Sequence, residues 1–236
     1  MLTVRRALAF LTPFVRGGPP DAATFDWFPV AGAAIGLALG AVWWLADRAW
    51  YPAVAAAVVV AADLALTGML HLDGLVDSAD GLLPHLPRAR RLEVMADPGA
   101  GAFGVGTAAV VLLLRWSSIA AMRPRPLLLA GLWCASRTAM VVIARGLPYA
   151  RDDGLASAFL GSRPVGWGVA GGVVACALAI AGRGAVGAVA VAAAFVAAGG
   201  VAELAHRRIG GFTGDVLGAS GMTAETVGLL VAAARW

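Results

Sequence analysis

Residues 53–82 read AVAAAVVVAADLALTGML and then HLDGLVDSADGL. The first eighteen residues carry a single charge, Asp63, and approach the roughly 20 residues of apolar helix that cross a bilayer. The twelve that follow carry Asp73, Asp77 and Asp80 at i, i+4 and i+7, a spacing that sets three carboxylates on one face of a helix. This stretch therefore predicts a membrane span that delivers an acidic helix to one membrane face.

Composition carries the same reading outward. The 236 residues are 60% hydrophobic and only 14% charged, with a mean hydropathy of +0.82. Soluble domains are about 45–50% apolar and about 25% charged, so the chain reads as a multi-pass membrane protein. Disorder, a collagen-like repeat and nucleic-acid binding are excluded, because apolar residues dominate and the net charge of +4 is not gathered into a basic face. Every cation is Arg, none Lys. Cys134 and Cys176 lie in apolar runs without metal-ligand spacing and read as small hydrophobes.

Six further apolar stretches run from Val30 to Ala46, Phe103 to Met122, Leu127 to Arg145, Trp167 to Ala181, Ala185 to Val201 and, weaker because of Ser220, Thr223 and Glu225, Val216 to Ala234. The expectation is an all-α polytopic bundle of six or seven spans, forming one integral membrane domain over 1–236. Pro, Gly and Arg clusters separate the spans, as at Arg123-Pro124-Arg125-Pro126. Arg5 and Arg6 precede a run, Ala7 to Val15, too short to span and lacking a cleavage pattern, so residues 1–29 read as an interfacial segment rather than a signal peptide.

With seven spans and the N-terminus inside, ten arginines fall on one side and five on the other, three lying within or at the ends of spans. Positive charge concentrates on the cytoplasmic side of membrane proteins, which predicts a cytoplasmic N-terminus. The polar loops at 71–102, 147–166 and 206–215 then share that side, and the external loops are short. Polar, Gly-rich loops on one face suit an enzyme working there, whereas a transporter needs polar groups at mid-depth.

Three aligned carboxylates repel one another, and a divalent cation with oxygen ligands relieves them; Mg²⁺ is favoured over Zn²⁺ because the ligands are hard and no Cys joins them. A solvated acidic helix end is the plainer alternative. Downstream, Asp97-Pro98-Gly99-Ala100-Gly101-Ala102-Phe103-Gly104 opens the next span with glycines whose amides could meet a phosphate at a helix N-terminus, or simply form a loop. Arg88, Arg90 and Arg91 could clamp phosphate or anchor to anionic lipid. Arg151-Asp152-Asp153-Gly154 and Gly211-Phe212-Thr213-Gly214-Asp215 add an Arg, a hydroxyl and further acids on the same face. Together these resemble a diphosphate site, though not a Walker A loop, since GxxxxGK[ST] is absent. His71 borders the acidic helix and is a candidate substrate contact. At membrane depth, Asp63 and Arg137 lie at similar distances from the cytoplasmic ends of their spans and are expected to pair.

These motifs resemble those of the adenosylcobinamide-GDP ribazoletransferases, also called cobalamin synthases. The matching blocks are Phe10-Leu11-Thr12, Trp27-Phe28-Pro29-Val30-Ala31-Gly32, His71 through Leu82, Glu93 through Gly104, Ser136-Arg137, Tyr149-Ala150-Arg151 with Gly154-Leu155, and Gly211 through Ala219. Pro13 after Leu11-Thr12 departs from the pattern, as does Ala100-Gly101 where Arg-Ile/Val-Gly is usual. The resemblance implies a bacterial inner-membrane enzyme facing the cytoplasm, in which a ribose hydroxyl of α-ribazole or its 5′-phosphate attacks the cobinamide-linked phosphorus of adenosylcobinamide-GDP and GMP leaves. Laid over that chemistry, Asp73, Asp77 and Asp80 are expected to hold Mg²⁺, and Asp97 or Asp215 to accept the hydroxyl proton. His71, Arg88, Arg91, Arg151, Thr213 and Gly214 are expected to bind substrate. Membrane lipid is the expected surrounding, and homo-oligomers are left open.

Two other classes compete. A CDP-alcohol phosphotransferase also sets aspartates at a membrane face, but it requires Asp-x-x-Asp-Gly-x-x-Ala-Arg, and no Ala-Arg follows Asp77 at that offset. An ion-coupled transporter would use Asp63, Arg115 and Arg137 as its pathway.

Overall fold

A computed structural model describes residues 2–151, 154 and 166–235. The described chain is all-helical: α1 (Leu2–Leu11), α2 (Ala22–Phe25), α3 (Phe28–Ala49), α4 (Pro52–Leu66), α5 (Leu70–Leu82), α6 (Arg88–Val94), α7 (Ala102–Ala120), α8 (Pro126–Gly146), α9 (Gly166–Arg183), α10 (Ala185–Ile209) and α11 (Gly214–Ala233). Proline opens α3, α4 and α8, where its missing N–H and fixed φ cost the helix nothing.

Among the described residues, α3, α7, α8, α10 and α11 are each long and apolar enough to cross a membrane, and α4 with α5 passes that test only as a pair bent by 88°. The protein is a multi-pass membrane protein. Its outer surface carries Leu45, Val105, Leu113, Val173 and Val196, all exposed, as a surface facing acyl chains would. Trp44, Trp50 and Tyr51 are exposed where α3 turns into α4, and the Arg48 guanidinium lies 3.1 Å from the Trp44 ring centroid; aromatic residues and arginine gather at membrane–water interfaces.

The central helix is α8, buried along nearly its whole length. It packs against α3, α9 and α11. The approach of α3 is set by Gly32, Gly36 and Gly40, spaced four residues apart. A Cβ on Gly36 would come within 2.5 Å of Leu129 O, and one on Gly40 within 2.5 Å of Pro126 Cα. Small residues at this spacing let membrane helices meet backbone to backbone. α1 folds back on α3, burying Ala7 and Leu11.

The sequence marks 53–70 as a regular span and 216–234 as shorter and weaker; the structure breaks the first and gives the second full length, though it remains the least apolar of the five. α4 ends at Leu66, and Gly68 (φ 57°) and Met69 (φ 60°) both take the left-handed region, turning the chain into α5. An apolar window does not register this turn, because both residues remain hydrophobic or neutral. α11, by contrast, is a full-length helix, and its Glu225 is satisfied inside the bundle.

The expected Asp63–Arg137 pair is replaced by a four-charge chain. Arg115 donates to Asp63 at 2.5 Å and to Glu225 at 3.0 Å, while Arg137 pairs with Glu225. Trp133 Nε1 donates to Asp63 at 3.0 Å and Ser136 Oγ to Glu225 at 2.7 Å. Each charge at depth thus has an opposite neighbour and neutral hydrogen bonds, which is the condition for burying it. Glu225, read from sequence only as a weakness of the last span, links the two arginines.

Candidate active site

Three contacts gather the polar segments at one end of the bundle. First, α5 lies against the start of α11 at Gly74, where a Cβ would sit 2.8 Å from Asp215 O. Only a glycine admits that approach, and it brings Asp73 and Asp77 beside Asp215. Second, Tyr149 and Phe212 form an isolated parallel bridge, with Ala150 N donating to Phe212 O at 2.8 Å and Phe212 N to Pro148 O at 3.0 Å. This bridge carries Arg151 to within 3.1 Å of Asp215 Oδ2. Third, Thr213 caps α11, its Oγ1 accepting from Val216 N at 3.3 Å and donating to Asp215 Oδ2 at 3.2 Å. Gly214 follows as the first residue of the helix.

The cluster is electrostatically unbalanced. Partial burial, then the charges of Asp215 and Asp73, push the Asp77 carboxyl up to about 7, against the opposing pull of Arg151. A carboxyl displaced so far toward neutrality by burial and then by neighbouring carboxylates is a group that a cation would hold. Among the described residues no three His, Cys, Asp or Glu side chains converge closely enough to hold a metal by themselves.

Asp80 is placed differently from its neighbours. It is buried and accepts from Gly101 N at 2.7 Å and Gly104 N at 2.9 Å. The Gly-rich entry to α7, read from sequence as a place for phosphate, thus receives a carboxylate from the protein itself, at the positive end of a helix. Arg91 is also spoken for: it is buried and its Nη1 donates to Gly81 O at 2.8 Å and Leu82 O at 2.9 Å, closing the end of α5. Asp97 is exposed and accepts from Gly99 N at 2.8 Å in its own turn. The structure brings Asp215, rather than Asp97, into the cluster with Asp77. Arg88 is exposed, its guanidinium 3.3 Å from where a Cβ on Gly210 would lie. Asp152 and Asp153 lie outside the described residues.

Next to the cluster opens a cavity of about 330 Å³ that Asp215, Arg151 and Gly214 share. Its walls are mainly apolar and include Phe10, Phe25, Phe28, Met140 and Tyr149. His71 also lines it; the residue is buried and its Nδ1 has no hydrogen-bond partner. Burial and the Arg137 and Arg115 charges keep the imidazole well below its ordinary pKa, and therefore neutral. Sequence reasoning had no route to this cavity from periodicity. Its signal was only that Phe10, Phe28 and Tyr149 fall in separate motif blocks, which the fold brings to one place.

The comparisons with known proteins concern the chain as a whole. The chain is 38% identical over 245 residues to the adenosylcobinamide-GDP ribazoletransferase of Bradyrhizobium diazoefficiens, covering 98% of this chain and 93% of that protein. It is 35% identical to the protein of the same name from Chlorobaculum tepidum, over 99% of this chain and 94% of that one. With the Deinococcus radiodurans protein of that name it shares 38% identity over 93% of this chain and 81% of the relative. No solved structure matches the chain significantly. The cobalamin-5-phosphate synthase family matches residues 3–233, essentially the whole described bundle together with its polar end, and this chain belongs to that family.

Proposed function

We infer that the chain is a transferase that moves the cobinamide-phosphate group of adenosylcobinamide-GDP to α-ribazole or its 5′-phosphate, releasing GMP. The observation that carries this reading is the meeting of Asp73, Asp77, Asp215 and Arg151 at one end of the bundle beside a nucleoside-sized cavity, in a chain of this family.

In this reading a ribose hydroxyl oxygen forms a bond to the cobinamide-linked phosphorus, the bond from that phosphorus to the GMP oxygen breaks, and the hydroxyl proton passes to a carboxylate. Asp215 is the base we assign, because it stands at the cavity edge and Thr213 and Arg151 fix its orientation; a base must lie within about 3 Å of the proton it takes. Asp97, outside the cluster, orders the turn before α7. Arg151 and, from the rim, Arg88 neutralise phosphate oxygens. Arg91 acts by holding α5 in place, and Gly214 keeps the edge of the site open to the diphosphate.

Magnesium fits as an ion held jointly by ligands from the protein and the substrate. Mg²⁺ is commonly held by one or two carboxylates plus substrate phosphates rather than by an all-protein cage. Asp73 and Asp77 are the residues we assign to it, with Asp80 contributing through its hold on α7. When bound, the ion would supply charge neutralisation at the phosphates, the main demand of phosphoryl transfer. The arginine imbalance supports a bacterial inner membrane location with this end toward the cytoplasm, residues 1–29 at the interface and Arg5, Arg6 and Arg16 near lipid phosphates.

The test is product formation. Membranes containing the chain, given adenosylcobinamide-GDP, α-ribazole and Mg²⁺, should form cobalamin or its 5′-phosphate together with GMP by chromatography, and chelator or Asp77→Asn should abolish it. No product from folded protein overturns the transferase reading; undiminished product with Asp77→Asn overturns the metal assignment alone.

A further inference from the structure

The cavity beside Asp215 is built for part of a substrate, and its chemistry selects which part. Its volume of about 330 Å³ lies at the lower end of small-ligand pockets, roughly 300–1,000 Å³. A corrin ring with its side chains does not enter such a space, but a flat heterocyclic base does. Two bases take part in the inferred reaction: that of ribazole, an alkylated benzimidazole with one unsubstituted ring nitrogen, and guanine, with an amide, an exocyclic amine and further ring acceptors. The walls offer Phe10, Phe25, Phe28 and Met140, with few polar atoms. Guanine packed against those rings, with Asp215 and Arg151 given to the reacting groups, would leave several donors and acceptors without partners, a heavy penalty. An alkylated benzimidazole would leave one. Against that one, the cavity presents one buried imidazole, that of His71, which in its neutral form can donate one hydrogen bond.

The make-up of the lining agrees. Aromatic rings line the interior, where Phe25 and Phe28 meet edge to face at 4.6 Å between centroids, and such edges and faces favour a further planar ring. Asp215 and Arg151 line the same cavity. A nucleoside with its base inside thus has its ribose at the carboxylate.

We propose that this cavity is the acceptor subsite: Phe10, Phe28 and Met140 enclose the benzimidazole-type base of the acceptor nucleoside, His71 hydrogen-bonds its free ring nitrogen, and the ribose is presented to Asp215. The proposal rests on the transferase reading for the identity of the nucleoside, and it excludes the guanine of the donor from this space.

The experiment uses the full chain in lipid nanodiscs. Equilibrium binding of α-ribazole and of guanosine is measured for the wild type, His71→Ala and Phe10→Ala, alongside the KM of each substrate. Phe10 is only half-buried, so its truncation tests the wall without hollowing the core, and thermal melting identifies any variant that has lost its fold. The wild type should bind α-ribazole at least ten-fold tighter than guanosine. Each folded variant should weaken α-ribazole and raise its KM about ten-fold, the scale of one lost buried contact, with the KM for adenosylcobinamide-GDP moving less than two-fold. Product formation in which Phe10→Ala leaves α-ribazole binding and KM unchanged overturns the subsite and leaves the transferase standing, as does a loss that falls on the donor KM. α-Ribazole binding that both variants weaken, in a chain that makes no product, retains the subsite and removes the transferase. A wild type that prefers guanosine overturns the assignment directly.

Discussion

Asp77 and Asp80 sit about one turn apart on α5 and meet opposite conditions. Asp80 receives two backbone N–H groups at the start of α7; Asp77 receives the negative fields of Asp215 and Asp73. Asp80→Ala should therefore destabilise the protein by about 1–2 kcal/mol, the scale of a lost helix cap, seen as a lower melting temperature with or without Mg²⁺. Asp77→Asn should do the reverse: an unchanged or higher melting temperature in chelator, with turnover lower by roughly 100-fold or more. The sign with pH follows from linkage. A carboxyl held near 7 in the fold and near 3.8 when unfolded favours the folded state while it keeps its proton. That contribution is fully present below the unfolded value and is lost as pH rises through about 7. The metal-free protein should melt lower at pH 8 than at pH 5.5, and Asp77→Asn should flatten the difference. The i, i+4, i+7 spacing was legible in sequence; the divergence of the three aspartates was not, because the groups that separate them belong to Gly101, Gly104 and Asp215, far along the chain.

Elements follow the same division between what is local and what is not. Apolar runs bounded by proline, glycine and arginine place the long helices within a few residues, except that α10 continues past Val201 to Ile209 through its more polar last turns, since burial of backbone polar groups in lipid leaves a helix as the available form. The break between α4 and α5 escaped them, being a matter of two left-handed residues in a stretch that stays apolar. The seat of α5 on α11 is also a backbone matter: Gly74 permits it. Gly74→Ala should push the carboxylates away from Asp215 and lower turnover by about 100-fold, as an ångström-scale misplacement does, with a smaller effect on melting. Within the buried charge chain, a double-mutant cycle of Asp63→Asn with Arg115→Gln should show a coupling of about 1–3 kcal/mol. The same cycle with Arg137→Gln should show less, because Glu225 lies between. The sequence set Asp63 and Arg137 within apolar runs but paired them by proximity to one face, whereas helix rotation about its axis decides which side chains meet.

On the scale of the whole molecule, the turns between α3 and α4 and between α9 and α10 are short, while the longer polar segments meet at the opposite end around Asp215. That polarity separates a one-sided enzyme from a carrier, which must open to both faces. The buried charges bear on the same question. Asp63, Arg115, Glu225 and Arg137 are two acids and two bases held together. A single elementary charge crossing the membrane potential exchanges about 2.3 kcal/mol per 100 mV. Four charges that sum to zero and stay locked to one another exchange none, so the electric field of an energised membrane has no handle on this cluster, and turnover in proteoliposomes should be the same with a potassium diffusion potential of either sign as with none.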